Sequence, residues 1–256
     1  MIEALLVVLS NPVAGRDEDF NDWYTHVHTR DAVGFRGCLA QQRFVLADNQ
    51  PSRAIPWRYL ALYETYDAHR FGQEHIDNMN TPRMVIEDSF DASRINDFFY
   101  FPLHFRDNAP RRAASGSVVM EQMNALPGRA ADFRDWYENH YLPAKLNVPG
   151  VLSGTLLGYE ADGQMLNYAP DHRFVALYRL SDDGARAAWQ DDEPGRQDSL
   201  DRKSLAVSFW DILTPRITED EIYHPTAAGL AAEEAARARI ARQGTRVVND
   251  GHVLRD

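Results

Sequence analysis

The sequence predicts an α+β fold of two tandem β-α-β-β-α-β repeats followed by an appended helix and a tail. A fourteen-residue motif that occurs twice, strand-like runs in the same order in each half, and an ordinary globular composition carry that expectation. Asn11 to Tyr24 reads N-P-V-A-G-R-D-E-D-F-N-D-W-Y and Asn124 to Tyr137 reads N-A-L-P-G-R-A-A-D-F-R-D-W-Y, with eight of fourteen positions identical at an offset of 113. The same offset carries Gly37 onto Gly150, and R-Y-L-A-L-Y from Arg58 answers R-F-V-A-L-Y from Arg173 at an offset of 115. An ungapped match that includes a tryptophan reads as a duplication.

Periodicity places the elements in order. Ile2–Leu9 and Ser117–Met123 are the first strands. Gly15 and Gly128 open turns, Asp17 or Asp19 offers an N-cap, and aromatic-rich helices follow. Cys38–Ala47 and Val151–Tyr159 read as second strands, Arg58–Glu64 and Arg173–Leu180 as third strands, all rich in β-branched and aromatic residues. Asp67–Asn78 and Asp182–Gln190 suit second helices, and Ile95–Leu103 and Leu205–Leu213 fourth strands, which completes the ferredoxin-like order in both copies. The repeats then span residues 1–112 and 113–217, with residues 81–94 an insertion in the first, expected as a short helix or lid. Beyond Thr218, the Ala-, Glu- and Arg-rich run Ala227–Arg242 is a strong helix former, and the last fourteen residues read as a mobile tail. Because residues 218–256 lie outside both repeats, folding is expected to survive their removal. A four-stranded sheet with both helices on one face leaves the other bare, and two such halves can cover each other within one chain.

Hydrophobic residues make up 44% and charged residues 25%, which excludes fibrous and disordered classes. Lys plus Arg number 27 against 38 acidic residues, a net charge of −11 with no basic cluster, so no nucleic-acid or anionic-membrane partner is expected. One cysteine, Cys38, forbids an internal disulfide or a cysteine zinc framework and suits a reducing, cytoplasmic setting. The apolar run Ile2–Leu9 is too short to span a membrane and lacks the basic flank of a signal peptide. No G-x-G-x-x-G or Walker-type loop supports a nucleotide cofactor.

The chemistry-bearing residues cluster on the first helix. With Phe20 on the buried face, helical spacing aligns Trp23, Tyr24, Val27, His28 and Asp31 with it. His28 and Asp31, three apart, form a catalytic candidate in which the carboxylate orients the ring of a general base. Trp23 and Tyr24, with Arg43, Trp57 and Tyr59 from the strands, are candidates to bind substrate. For the aromatics the alternative is core packing, and for Arg43 a place on the strand surface. In the second copy the corresponding positions hold His140, Tyr141 and Ala144, and Pro143 is expected to end or kink the helix. One competent and one degenerate site follow, with His140 and Tyr141 the residues of any second pocket. His69, His75 and His104 read as scattered surface or loop histidines, so no metal site is expected.

A β-α-β-β-α-β duplication whose first helix carries Phe20-x-x-Trp23-Tyr24-x-x-x-His28 resembles the dimeric α/β-barrel superfamily and, within it, the EthD-like branch, over residues 1–215. The resemblance implies antiparallel sheets packed into an intrachain α/β barrel, and a pocket between helix and sheet faced by His28. It does not name a reaction, because relatives include isomerases, dehydratases, decarboxylases, cyclases, cofactor-free oxygenases and heme enzymes, and no axial heme ligand stands out here. The resulting expectation is an enzyme without cofactors. Its His28/Asp31 pair would transfer a proton on a small hydrophobic aromatic or polyketide-like carbonyl substrate, as a lyase, isomerase, dehydratase or decarboxylase. A cofactor-free monooxygenase and a non-catalytic small-molecule-binding accessory protein are the alternatives, and a homodimer is left open.

Overall fold

The computed structural model describes residues 2–50, 55–108, 116–190 and 197–243. The expected tail beyond residue 243 and the expected boundary between residues 112 and 113 lie outside these. In the first half β1 (Ala4–Pro12) leads into one continuous helical run, α1 (Asp17–Trp23), a π-helical turn (Tyr24–His28) and α2 (Thr29–Val33). β2 (Cys38–Leu46), β3 (Tyr59–Thr65), α3 (Ala68–Asn78) and β4 (Phe90–Asp107) follow. The second half runs through β5 (Ser117–Ala125), α4 (Ala130–Trp136), a second π-helical turn (Tyr137–Tyr141) and α5 (Leu142–Leu146). It continues with β6 (Val151–Tyr159), β7 (Phe174–Leu180), α6 (Asp183–Gln190) and β8 (Leu200–Ile212). A short β9 (Ile217–Thr218), α7 (Glu219–Tyr223) and α8 (Ala227–Gln243) end the described chain.

All strand pairs are antiparallel, in the order β4-β1-β3-β2 in the first half and β8-β5-β7-β6 in the second. The halves join edge to edge. β4 pairs with β6 from Tyr100↔Tyr159 to Asp107↔Ser153, and β2 pairs with β8 from Phe44↔Ile212 to Leu46↔Trp210, so eight strands close a hydrogen-bonded ring. β9 adds to β2 beyond the stretch held by β8. Closure satisfies edges that either half alone would leave open. The inside of the ring is packed solid by Leu9, Phe44, Phe98, Tyr100, Met120 and Trp210 among others, while the helices cover the outside with a separate core in each half. β1 is therefore buried on both faces, which explains why A-L-L-V-V-L reads as an apolar run without alternation.

Several local expectations are corrected. Arg16, not Asp17 or Asp19, occupies the N-cap of α1, because Asp19 is turned back to hold the Arg16 guanidinium at 2.6 Å. Pro143 does not end the second helix: it sits directly after the π turn, and the helical run continues through α5 to Leu146. Residues 81–94 form neither helix nor separate lid. β4 starts at Phe90, and the irregular stretch before it buries Met84 and Ile86 while the Val85 carbonyl accepts the Trp23 indole N–H at 2.8 Å. Gly37 needs its φ of 98°, and a Cβ there would lie 2.3 Å from the Asp67 carbonyl; Gly150 holds the equivalent turn.

The appended helix is not dispensable padding. Ala236 and Ile240 of α8 are buried in the core of the first half. Charge holds the rest: Glu233 accepts from Arg30 at 2.6 Å, Arg237 pairs with Asp31, and Arg239 reaches Asp22 at 2.8 Å and the buried Glu87 at 2.9 Å. These contacts oppose the expectation that residues after Thr218 can be removed freely. Ile240→Ala should cost about 2–4 kcal/mol of unfolding free energy, the usual range for truncating a buried isoleucine. Ending the chain at Tyr223 should cost more, and urea unfolding monitored by tryptophan fluorescence measures both.

Candidate active site

A cavity of about 50 Å³ lies between the helical run of the first half and the outer face of its sheet. The period of two puts Leu6 and Val8 of β1, and Ile95 and Asp97 of β4, on that face, with Tyr63 of β3 beside them. Trp23, Tyr24 and His28 descend from the helical run, and His75, Met79, Ile86 and Phe90 close the remaining sides.

The π-helical turn decides which polar groups reach the cavity. The Thr29 amide bonds to the Tyr24 carbonyl, five residues back, and the Thr29 hydroxyl donates to the same oxygen at 2.8 Å. The extra residue in that turn rotates everything after it by about 100° relative to a plain α-helix. Tyr24 and His28 stay inside, but Asp31 swings toward α8 and pairs with Arg237. The expected His28–Asp31 contact is absent. Burial raises the Asp31 carboxyl to about 6, against the pull of Arg237, so Asp31 serves the junction with α8 rather than the imidazole.

His28 is 6% exposed, with its ring edge-on to Tyr24 at 4.7 Å between centroids, tilted against Trp23 at 4.9 Å and perpendicular to His75 at 5.9 Å. The Nδ1 atoms of His28 and His75 are both buried without a hydrogen-bond partner. Burial, with the nearby His75 and Arg43, holds His28 well below the ordinary histidine value, and burial lowers His75 to about 4. Both rings are neutral at pH 7.

Arg43 is neither a surface residue nor part of the cavity wall. Its buried guanidinium donates to Thr25 Oγ1 at 2.6 Å and Asn21 Oδ1 at 2.9 Å, and lies 4.3 Å from the Tyr24 ring centroid. Burial lowers it to about 10, which still leaves it charged behind Tyr24. The Tyr63 hydroxyl donates to the Tyr24 hydroxyl at 3.2 Å, so the proton of Tyr24 remains available to the cavity. Two candidate binding residues lie elsewhere. Tyr59, four residues and roughly 13 Å along β3 from Tyr63, donates to Asp17 at 3.2 Å and accepts from Asn21 at 2.7 Å. Trp57, before β3 begins, packs against the inner core with Arg94 5.7 Å from its ring.

Two cavity residues escaped the sequence reading. α3 buries Ala68, Phe71, Gly72 and His75, a helical stripe that marks His75 as internal rather than superficial. His69 is exposed and His104 bonds Glu138 at 3.2 Å. Asp97 shares its strand face with Ile95 and Phe99, and its Oδ1 is buried without a partner. Burial raises its carboxyl to about 7.

The second half is built differently at the same level. Tyr137 and Tyr141 donate to Glu121 at 3.1 and 2.8 Å, and the Tyr137 and Tyr178 hydroxyls bond each other. His140 is exposed while Tyr141 is buried, so the two do not share a pocket. Among the described residues no cluster of His, Cys, Asp or Glu could hold a metal, and no helix is long and apolar enough to cross a membrane.

No family model matches the chain, and no curated protein matches its sequence. Solved structures share the fold. An anthrone oxidase-like protein is 12% identical over 86% of this chain and 94% of its own, with a TM-score of 0.60. A candidate monooxygenase from Fusobacterium nucleatum subsp. nucleatum is 11% identical over 85% and 94%, with a TM-score of 0.54. Another from Lactobacillus acidophilus is 9% identical over 86% and 97%, with a TM-score of 0.52. At these identities the likeness establishes a mixed α+β fold with ferredoxin-like neighbours and a large antiparallel sheet.

Glu121→Leu should destabilise the protein by about 2 kcal/mol, because it takes the acceptor from buried tyrosine hydroxyls. His140→Ala should leave stability unchanged, and urea midpoints at pH 7 compare the two.

Proposed function

We propose that the protein is a cofactor-independent enzyme of the EthD-like branch, its two repeats forming an intrachain barrel, that moves a proton on a small hydrophobic aromatic or polyketide-like carbonyl compound, with His28 as the base. The observation that carries this reading is the neutral His28 imidazole, fixed by two aromatic rings in an apolar cavity with its Nδ1 unpartnered. A positioned neutral imidazole is suited to accept a proton from a carbon next to a carbonyl. The Tyr24 hydroxyl can donate to the carbonyl oxygen, and the Arg43 charge behind its ring favours the negative charge that develops there. In a β,γ-unsaturated carbonyl, returning the proton to the γ carbon gives isomerisation, and expelling a β-hydroxyl group as hydroxide gives dehydration. For decarboxylation His28 takes the carboxyl proton of a β-keto acid, the C–C pair released with carbon dioxide becomes the enolate, and His28 returns the proton to that carbon. Asp31, which the sequence offered as the partner of His28, has a structural task at α8 in this reading.

A cofactor-free monooxygenase starts from the same proton removal, after which the carbanion reacts with dioxygen. The oxidase and monooxygenase descriptions of the fold neighbours favour it as the second reading. The cavity is small: about 50 Å³ is room for a few waters. A ring-sized substrate therefore has to displace the Met79 and Ile86 side chains on the irregular margin, a movement that unbranched methionine allows. The single buried cysteine fits a cytoplasmic setting.

His28→Ala should lower turnover by a factor of about 10² to 10⁴, the usual contribution of a positioned base, without loss of fold. His140→Ala should leave turnover intact, and Asp31→Asn should change thermal stability more than rate. Because His28 charges only well below 6.5, the acid limb of kcat/KM should fall in that range. Loss of turnover without oxygen selects the monooxygenase reading, whereas a ligand bound but never converted refutes both.

A further inference from the structure

Aligned by the sequence offset and by strand register, the two halves place a carboxylate in the same cross-strand pair, but on opposite strands. Val8 of β1 faces Asp97 of β4, while Glu121 of β5, 113 residues after Val8, faces Val207 of β8. Above the pair, Tyr24 corresponds to Tyr137, and His28 to Tyr141. In the second half the carboxylate is satisfied by both tyrosine hydroxyls. In the first half one of those hydroxyls is replaced by an imidazole, the carboxylate has crossed to β4, and its Oδ1 has no partner. A buried carboxyl oxygen without a partner costs stability, and the half-buried Asp97 lines the cavity that also holds His28 and Tyr24.

We propose that Asp97, in its protonated form, is the acid that works opposite His28, giving its proton to the carbonyl oxygen of the substrate as His28 takes one from the adjacent carbon. The inference rests on the proton-transfer reading above. The C–H electron pair becomes the carbon–carbon π bond of an enol, and the carbonyl π pair takes the proton of Asp97. Imidazolium and carboxylate remain. Return of both protons to the same atoms completes an exchange. Where the carbonyl compound carries a β,γ double bond the intermediate is a dienol: its O–H proton returns to Asp97, its outer π pair takes the imidazolium proton at the γ carbon, and the shifted double bond completes an isomerisation that regenerates both groups. A carboxylic acid that burial keeps protonated up to about pH 7 can donate to such an oxygen, beside a tyrosine hydroxyl. The groups facing Asp97 are Tyr24 and His28 from the helical run, Tyr63 from β3, His75 from α3 and Tyr168 from the chain between β6 and β7, with Arg43 beyond Tyr24. None of them forms an ion pair with it, so burial alone sets its protonation.

The test is exchange of the acidic carbon-bound protons of 2-indanone in deuterated buffer, followed by proton NMR with the full chain. The parent should accelerate exchange, and its rate should fall as pH rises through about 7, where Asp97 loses its proton. Asp97→Val should cut the rate by about 10² to 10³, the usual loss for one donor to a developing oxyanion. Its melting temperature should not fall, because valine already stands at the matching register position as Val207. Asp97→Asn keeps a donor and should hold the rate within about tenfold while losing the alkaline limb. A fully active Asp97→Val beside an inactive His28→Ala would overturn the role of Asp97 alone, as would Asn behaving no better than Val. A parent that does not accelerate exchange overturns this proposal and the proton-transfer reading together.

Discussion

Closure of the strand ring governs what the rest of the chain can do. β4 meets β6 and β2 meets β8, so the two four-stranded sets close on each other, and the enclosed space holds large side chains such as Phe44, Tyr100 and Trp210. Among the described residues large side chains occupy the middle, and the cavity described above lies where helices cover an outer face. Two such layers are present, and they have been used in opposite ways. One is tied together by Glu121 and its tyrosines; the other keeps a cavity with imidazole, phenol and carboxyl groups on its walls.

The π-helical turns make that division possible. Each widens the helical run where it crosses the sheet and points two residues, Tyr24 and His28 or Tyr137 and Tyr141, toward the strands. The same turn expels the next acidic residue of the first half, Asp31, to the far side of the run. There it becomes an anchor for α8. Expanded turns of this kind are frequent at functional sites because they re-aim side chains without ending the helix.

The strands were legible in the sequence because their residues obey the strong preferences of pleated, covered surfaces. Val151–Tyr159 was delimited to the residue, and most others within two. The weakest fit was β4, whose Phe90–Ser93 start lies in a stretch that carries no alternation. The site was legible only in part. Regular spacing put His28 on the buried face, where it lines the cavity, but misplaced Asp31, since a helical period cannot register one extra residue in a turn. Asp97 was hidden for another reason. A lone acid in R-I-N-D-F-F looks like a strand end until the register shows it opposite Val8 under the helices. The contribution of α8 is also invisible to periodicity, because it is held by charge pairs more than by an apolar face.

Ring closure also dictates an order of events. β2 emerges early in the chain, yet the strand that covers its edge, β8, follows more than one hundred and fifty residues later, and α8, which caps the first helical run, later still. Until then β2 is a half-finished edge with exposed hydrogen-bonding groups. A topology so dominated by distant pairings folds slowly and leaves a window in which two chains can zip together at that edge. The protein thus carries a kinetic hazard in synthesis that its finished structure conceals, and chaperone dependence, rather than low thermodynamic stability, is the property in which that hazard becomes visible.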